Sequence, residues 1–168
     1  MTKITFGGNG YADDYSYIDV TGDASYLGED ETEYIIPSEL QDLQDYADML
    51  APIEVYETNA ITAYEKYRVV TSSNRKAAHN SLTNTVIPNY KKVVSMTSKI
   101  SAPNAELQAI HSLMVKGAKL QLEGFTLMQQ AIYKKTSFTA ANKKLDAGRA
   151  AINQYTAKVQ AYADKYSK

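Results

Sequence analysis

Residues 103–166 read PNAELQAIHSLMVKGAKLQLEGFTLMQQAIYKKTSFTAANKKLDAGRAAINQYTAKVQAYADKY. Two apolar series run through this stretch. Phe138, Ala141, Leu145, Gly148, Ile152, Tyr155, Val159, Tyr162 and Tyr166 alternate spacings of three and four, which is the seam of a bundle helix. Ile110, Leu113, Gly117, Leu120, Gly124, Leu127 and Ala131 alternate in the same way. Between them, Lys134-Lys135-Thr136-Ser137 supplies a basic helix end and a cap. Folding the chain back at residue 136 pairs residues whose numbers sum to 272. Gly124 is then expected over Gly148, Gly117 over Tyr155, Leu120 over Ile152, and Leu113 over Val159. A glycine inside a helix costs ~1 kcal/mol against alanine. Facing glycines offset that by letting the axes approach to the short end of the ~8–10 Å range. A second stripe, Leu107, Met114, Ala118, Gln121, Phe125, Met128 and Ile132, widens the apolar face and predicts that this helix touches more than one neighbour.

Two more helices precede the hairpin. Pro37 and Ser38 open the first, with Glu39, Asp42 and Asp45 at the positive end of its dipole. Leu40, Leu43, Ala47 and Leu50, then Ile53, Ala60, Tyr64 and Tyr67, carry helical spacing to about Val70. Pro52 predicts a kink, because it lacks an N–H and disfavours α geometry at Ala51. Ser72-Ser73-Asn74 reads as a turn and N-cap. The second helix follows over 74–100, with Leu82, Val86, Val93, Met96 and Ile100 on one face and a kink at Pro88. The predicted helices are therefore about 37–70, 74–100, 103–134 and 138–166. The predicted fold class is all-α, an antiparallel up-down four-helix bundle over 37–168.

Residues 1–36 form a separate N-terminal extension, acidic and rich in Gly and Tyr. Lys3-Ile4-Thr5-Phe6 and Tyr15-Ser16-Tyr17-Ile18-Asp19-Val20 have strand character. Gly7-Gly8-Asn9-Gly10 between them tolerates positive φ, which gives the pattern of a short β-hairpin.

The charge is divided along the chain. Residues 1–57 hold 14 of the 19 acids against the single base Lys3, a net of -13, while residues 58–168 hold 17 bases against 5 acids, a net of +12. The acidic segment is thus expected to dock on basic helix surface, its own or a neighbour's. With no cysteine in the chain, disulfides, thiolate metal sites and a Cys nucleophile are excluded. No apolar run approaches the ~18 residues of a transmembrane helix, and the first residues have no signal-peptide pattern.

Few residues suggest chemistry. The histidines are His79 and His111, and a di-metal bundle needs Glu-x-x-His pairs. Lys76 and Gln108 stand where those glutamates belong. Glu54 and Glu57 lie one turn apart but have no matching carboxylates elsewhere. His111 reads as a hydrogen-bonded residue at the edge of the Leu107–Met114 stripe. Gly7 to Asp13 is one imperfect copy of a calcium repeat that works by stacking several copies. Asp13, Asp14, Asp19 and Asp23 are the oxygen donors it would offer a Ca²⁺, against the plainer reading of an acidic turn. No nucleophile elbow, P-loop or zinc-protease motif occurs. The sequence therefore predicts no catalytic residue, no resident metal and no cofactor. The bases are mostly lysines in scattered pairs, a pattern of solvated helix faces more than of specific nucleic-acid readout.

Pro88-Asn89-Tyr90-Lys91-Lys92-Val93-Val94, Ala102-Pro103-Asn104-Ala105-Glu106-Leu107-Gln108-Ala109-Ile110-His111 and Gly124-Phe125-Thr126-Leu127-Met128-Gln129-Gln130-Ala131-Ile132 carry a family resemblance. Over about residues 60–166 the chain resembles a helical domain of extracytoplasmic lipoproteins and membrane-anchored proteins of Gram-positive bacteria. The likeness does not extend to residues 1–36, and the lipobox cysteine of such lipoproteins is absent. The resemblance implies a cell-envelope location, with a cytoplasmic one as the alternative, and brings no catalytic residues. The expected function is a non-enzymatic interaction or structural domain for a protein or an anionic cell-wall polymer. The alternative is a bundle that binds a metal or small ligand. Oligomeric state is left open.

Overall fold

The structure, a computed structural model, describes residues 36–168. The predicted β-hairpin, the calcium donors Asp13, Asp14, Asp19 and Asp23, and the acidic extension up to residue 35 lie outside the described residues. Every regular element among the described residues is helical: α1 (Ser38–Leu50), α2 (Glu54–Glu65), α3 (Arg75–Ser81), α4 (Ile87–Thr97), α5 (Ala105–Lys134) and α6 (Thr139–Tyr166).

Both prolines change the type of helix without ending it. Pro52 sits in a 3-10 turn, Ala51–Ile53, between α1 and α2. Leu50, Ala51, Ile53 and Glu54 all keep right-handed helical dihedrals, so α1 and α2 make one rod. Pro88 follows a π turn, Leu82–Val86, where the Ile87 N–H reaches back five residues to the Leu82 carbonyl. The wider turn makes room for a residue that lacks its own N–H. The Asn89 side chain adds a bond in the same turn, donating to the Thr85 carbonyl at 2.8 Å. The first rod stops at Glu65, short of Val70, because Tyr67 N–H and Arg68 N–H bond three residues back and tighten the last turn.

The connections have local causes. Asn74 stands at the N-cap position of α3, but its side chain turns back into the loop. Its Oδ1 accepts from Thr71 N–H at 2.7 Å and its Nδ2 donates to the Val69 carbonyl at 2.9 Å. Asn104 is a true cap: its side chain accepts from Leu107 N–H at 2.9 Å. Lys135 ends α5 in the left-handed conformation, φ 57°. That lets Thr136 N–H close on the Ala131 carbonyl at 3.0 Å, a Schellman closure without its usual glycine.

The second stripe of α5 proves to be its main core face, since all seven of its members are buried. In the first series Leu113, Leu120 and Leu127 are only half-buried. Phe125 fits between Tyr64 and Tyr90, with ring centroids 5.0 and 5.1 Å away. Burying one such side chain is worth ~1.5–3 kcal/mol.

The α5–α6 register differs from the expected one. A β-carbon on Gly117 would meet Ile152, one on Gly124 would meet Leu145, and one on Gly148 would meet Gln121 and Gly117. The facing glycines are therefore Gly117 and Gly148, not Gly124 and Gly148. Ile152, not Tyr155, fills the space at Gly117. Gln121, from the other stripe, takes the place opposite Gly148.

Candidate functional site

The interior holds a polar network supplied by all four rods. His111 on α5 is 1 % exposed. Its Nε2 lies 2.9 Å from the Thr97 carbonyl, which can only accept, so Nε2 carries the proton. In the neutral ring Nδ1 then accepts from the Tyr46 hydroxyl at 2.8 Å. Thr97 is buried too, its hydroxyl donating to the Val93 carbonyl at 2.9 Å. The Tyr155 hydroxyl on α6 adjoins that of Tyr46. One layer on, the Tyr90 hydroxyl donates to Gln121 Oε1 at 2.7 Å, while Gln121 Nε2 is buried with no partner among the described residues.

Burial sets the electrostatics here. It pushes the phenols of Tyr46, Tyr90 and Tyr155 well above their ordinary value, and the charge of buried Glu57 adds to the effect at Tyr90 and Tyr155. It holds the His111 imidazole below its ordinary value, partly opposed by the bond to Thr97. The groups are those of acid–base chemistry, but they are packed among core side chains. What the network does is fix the register of four rods, because a slip of any one strands a buried donor or acceptor.

Of the other residues with chemical promise, Glu57 acts on the network through its charge and His79 stands apart from it. His79 lies on α3, its ring 6.0 Å from that of exposed Tyr133. Glu57 is buried and Glu54 half-buried, one turn away. No three of His, Asp and Glu among the described residues come together as a metal site. Sequence reasoning placed His111 at a stripe edge and missed its partners. For the rest of the network one signal was present: Tyr155 carries a polar tip at a seam position of α6.

The surface is divided by charge along the bundle axis. At one end the 66–74 and 135–138 loops come together. Arg75 Nη1 donates to the Ile132 carbonyl at 3.4 Å, and His79 meets Tyr133. Residues 64–80 and 130–145 contribute eight bases, Lys66, Arg68, Arg75, Lys76, Lys134, Lys135, Lys143 and Lys144, and one acid, Glu65. Glu65 pairs with Arg68 at 3.7 Å, and Lys144 reaches Glu123 at 2.9 Å. The most exposed large apolar side chains among the described residues, Tyr133 at 78 % and Val69 at 72 %, stand at this same end. No protein-family model, no curated protein and no solved structure matches the chain.

The opposite end is acidic and tightly tied. Asn104 Nδ2 donates to Asp42 at 2.7 Å and to the Tyr162 hydroxyl at 2.8 Å, and Tyr162 donates to the Glu39 carbonyl at 3.1 Å. Glu106 accepts from Lys165 and Tyr166, both at 3.0 Å, which lowers its carboxyl below the ordinary value. Among the described residues no helix is long and apolar enough to cross a membrane.

Proposed function

We propose that this chain is a non-enzymatic interaction domain of the cell envelope, an antiparallel up-down four-helix bundle whose basic end binds an anionic polymer. The touching pairs support the architecture. Along α1–α2 and α5 the numbers rise together, Tyr46 with His111 and Tyr64 with Phe125. Along α4 and α5 they run opposite, Tyr90 with Gln121 and Thr97 with His111. Along α5 and α6 they run opposite again, Gly117 with Ile152 and Gly124 with Leu145. The envelope location rests on the resemblance of residues 60–166.

One observation carries the binding reading: Tyr133 and Val69, the most exposed large apolar side chains among the described residues, stand among eight bases, of which Arg68 and Lys144 are paired with Glu65 and Glu123. Apolar groups ringed by charge are the make-up of an interaction surface. Most of the bases are lysines, flexible point charges that suit a mobile polyanion better than bidentate recognition of one group. Titration with inorganic polyphosphate tests this. Replacing Lys66, Lys76, Lys134 and Lys135 with Glu should weaken binding by at least about tenfold, with steep loss at high salt. Replacing Lys99, Lys158 and Lys168, nearer the acidic end, should change it little. Equal effects of the two sets, or no binding by the unaltered chain, would refute the reading.

A further inference from the structure

We propose that the acidic face of α1–α2 docks on the basic end of a second copy of this chain, so that copies join head to tail. The inference rests on the reading of the basic end as an interaction surface and adds a competitor there: an end occupied by another copy is closed to the polymer.

The exposed large apolar side chains among the described residues fall in two places. Val69 and Tyr133 stand at the basic end. Ile36 leads into the first rod, and Met49 and Val55 stand on it. Asp45, Asp48, Pro52 and Val55 follow spacings of three and four, so they share one exposed face, with Met49 and Ala51 at its edges. That face is acidic, since residues 36–57 hold six acids and no base. Asp45 and Asp48 accept from the neutral amides of Gln41 and Gln44, at 2.9 and 3.1 Å. Neither is in an ion pair among the described residues. Lys92, over the Tyr56 ring at 4.6 Å, borders the face from α4. The basic end is the counterpart: of its eight bases, only Arg68 and Lys144 are in ion pairs among the described residues. Each surface thus joins exposed apolar groups to uncompensated charge, and the two signs are opposite, which is the complementarity that selects a partner.

Within one chain the two surfaces do not meet. Val55 stands ten residues before the end of α2, about 15 Å along a straight helix. Met49, Val55, Val69 and Tyr133 all stay exposed in the monomer. A second copy brings the surfaces together. Because the contact joins two different surfaces, each pair of copies leaves one of each unused. Association then continues copy by copy or closes into a ring.

Sedimentation velocity of the full-length chain, with no polyanion present, tests this. At low salt the weight-average mass should rise with concentration and reach at least about twice that of the monomer by about 1 mM. Two variants separate the surfaces. One carries Asp45→Lys, Asp48→Lys and Val55→Lys. The other carries Val69→Glu and Tyr133→Glu. All five positions are exposed, and circular dichroism checks that both variants keep the fold. Each alone should stay monomeric over the same range. Mixed in equal amounts they should form a one-to-one complex and stop there, because one intact face meets one intact end. A monomer at every concentration, association that survives in either variant alone, or a mixture that stays monomeric overturns the proposal. Polyphosphate titration reads the function above separately. A chain that binds polyphosphate but never self-associates loses only the head-to-tail contact. A chain that self-associates in this pattern but ignores polyphosphate keeps the contact and loses the polymer.

Discussion

The carbonyl oxygen of Gly117 lies 3.0 Å from the point where a β-carbon on Gly148 would stand, and the Gly148 carbonyl lies 3.1 Å from the same point on Gly117. The relation is reciprocal and involves backbone on both sides. A side chain at either position therefore cannot be accommodated by a rotamer change alone.

Gly148→Ala should destabilise the fold. The new carbon would sit 3.0 Å from Gly117 O, 3.1 Å from Gln121 N and 2.7 Å from Gln121 Cγ. Overpacking of this kind costs ~1–3 kcal/mol, against a gain of ~1 kcal/mol in helix propensity. A net loss of up to about 2 kcal/mol is expected from denaturant unfolding. A more stable variant would mean that α5 and α6 can part without penalty.

Asn104→Ala should cost more than an ordinary cap. A lost N-cap costs ~0.5–2 kcal/mol. Here the same side chain also donates to Asp42 and Tyr162, and each lost bond to a partly buried partner adds about 1 kcal/mol. Asn104→Asp keeps the cap but sets a second carboxylate against Asp42, so it should not restore the tie. A loss for Asn104→Ala no larger than for a simple cap would show that the tie between the rods is idle.

His111 makes the fold sensitive to mild acid. Its folded pKa is lowered by burial, while the unfolded chain takes up the proton near pH 6.5. Between 6.5 and the lower folded value the unfolded state holds more protons. Stability is therefore full above about pH 6.5, declines as pH falls through that window and levels off below it. Denaturant titrations from about pH 7.5 to 5 should show the decline, and His111→Gln should flatten it. An unchanged slope in the variant would assign the acid sensitivity to carboxylates.

Alkali acts through the phenols. Tyr46, Tyr90 and Tyr155 have raised folded values, and the unfolded chain ionises near pH 10. Their contribution is complete below about pH 10 and is lost as pH rises beyond it. Tyrosinate absorbance should therefore show a late group that ionises together with the loss of helical circular dichroism. Ionisation of every tyrosine with the helices intact would contradict this.

The seam of α6 was legible in full. Its seven residues from Ala141 to Tyr162 are all buried, and Phe138 and Tyr166 pack at its ends, because a long, uninterrupted helix keeps one phase. The register against α5 was not legible. Two seams of equal period fit in several offsets, and the choice depends on which backbone approaches which, here Gly117 against Gly148 and Gln121. The partners of His111 were hidden for a related reason: Tyr46 and Thr97 lie on other rods, and nothing local places them. The basic end was invisible as a unit, because Arg75–Lys76 and Lys134–Lys135 are joined only when two loops meet. On the second rod Met96 and Ile100 pack half-buried against the core, as expected, while Tyr90 and Thr97, which were not expected there, are fully buried.

The second rod also carries the π turn. Among the buried positions Ala78, Leu82, Val86, Ile87, Tyr90, Val93 and Thr97, the series without Ile87 steps by four, four, four, three and four. Subtract one residue between Leu82 and Val86 and the steps become four, three, four, three, four, an unbroken heptad. The rod is thus a bundle helix with one residue more than the heptad needs at the π turn, just before Pro88. Chain length at this point is not dictated by the core. Deleting one residue there, together with Pro88→Ala, should leave every buried face in phase. The deletion alone would put the proline inside a plain α-helix, at ~3 kcal/mol. A deletion elsewhere in the rod would turn one half against the other by about 100°. Length variation across descendants of this sequence is therefore expected to collect at this turn, with the proline gained and lost alongside it.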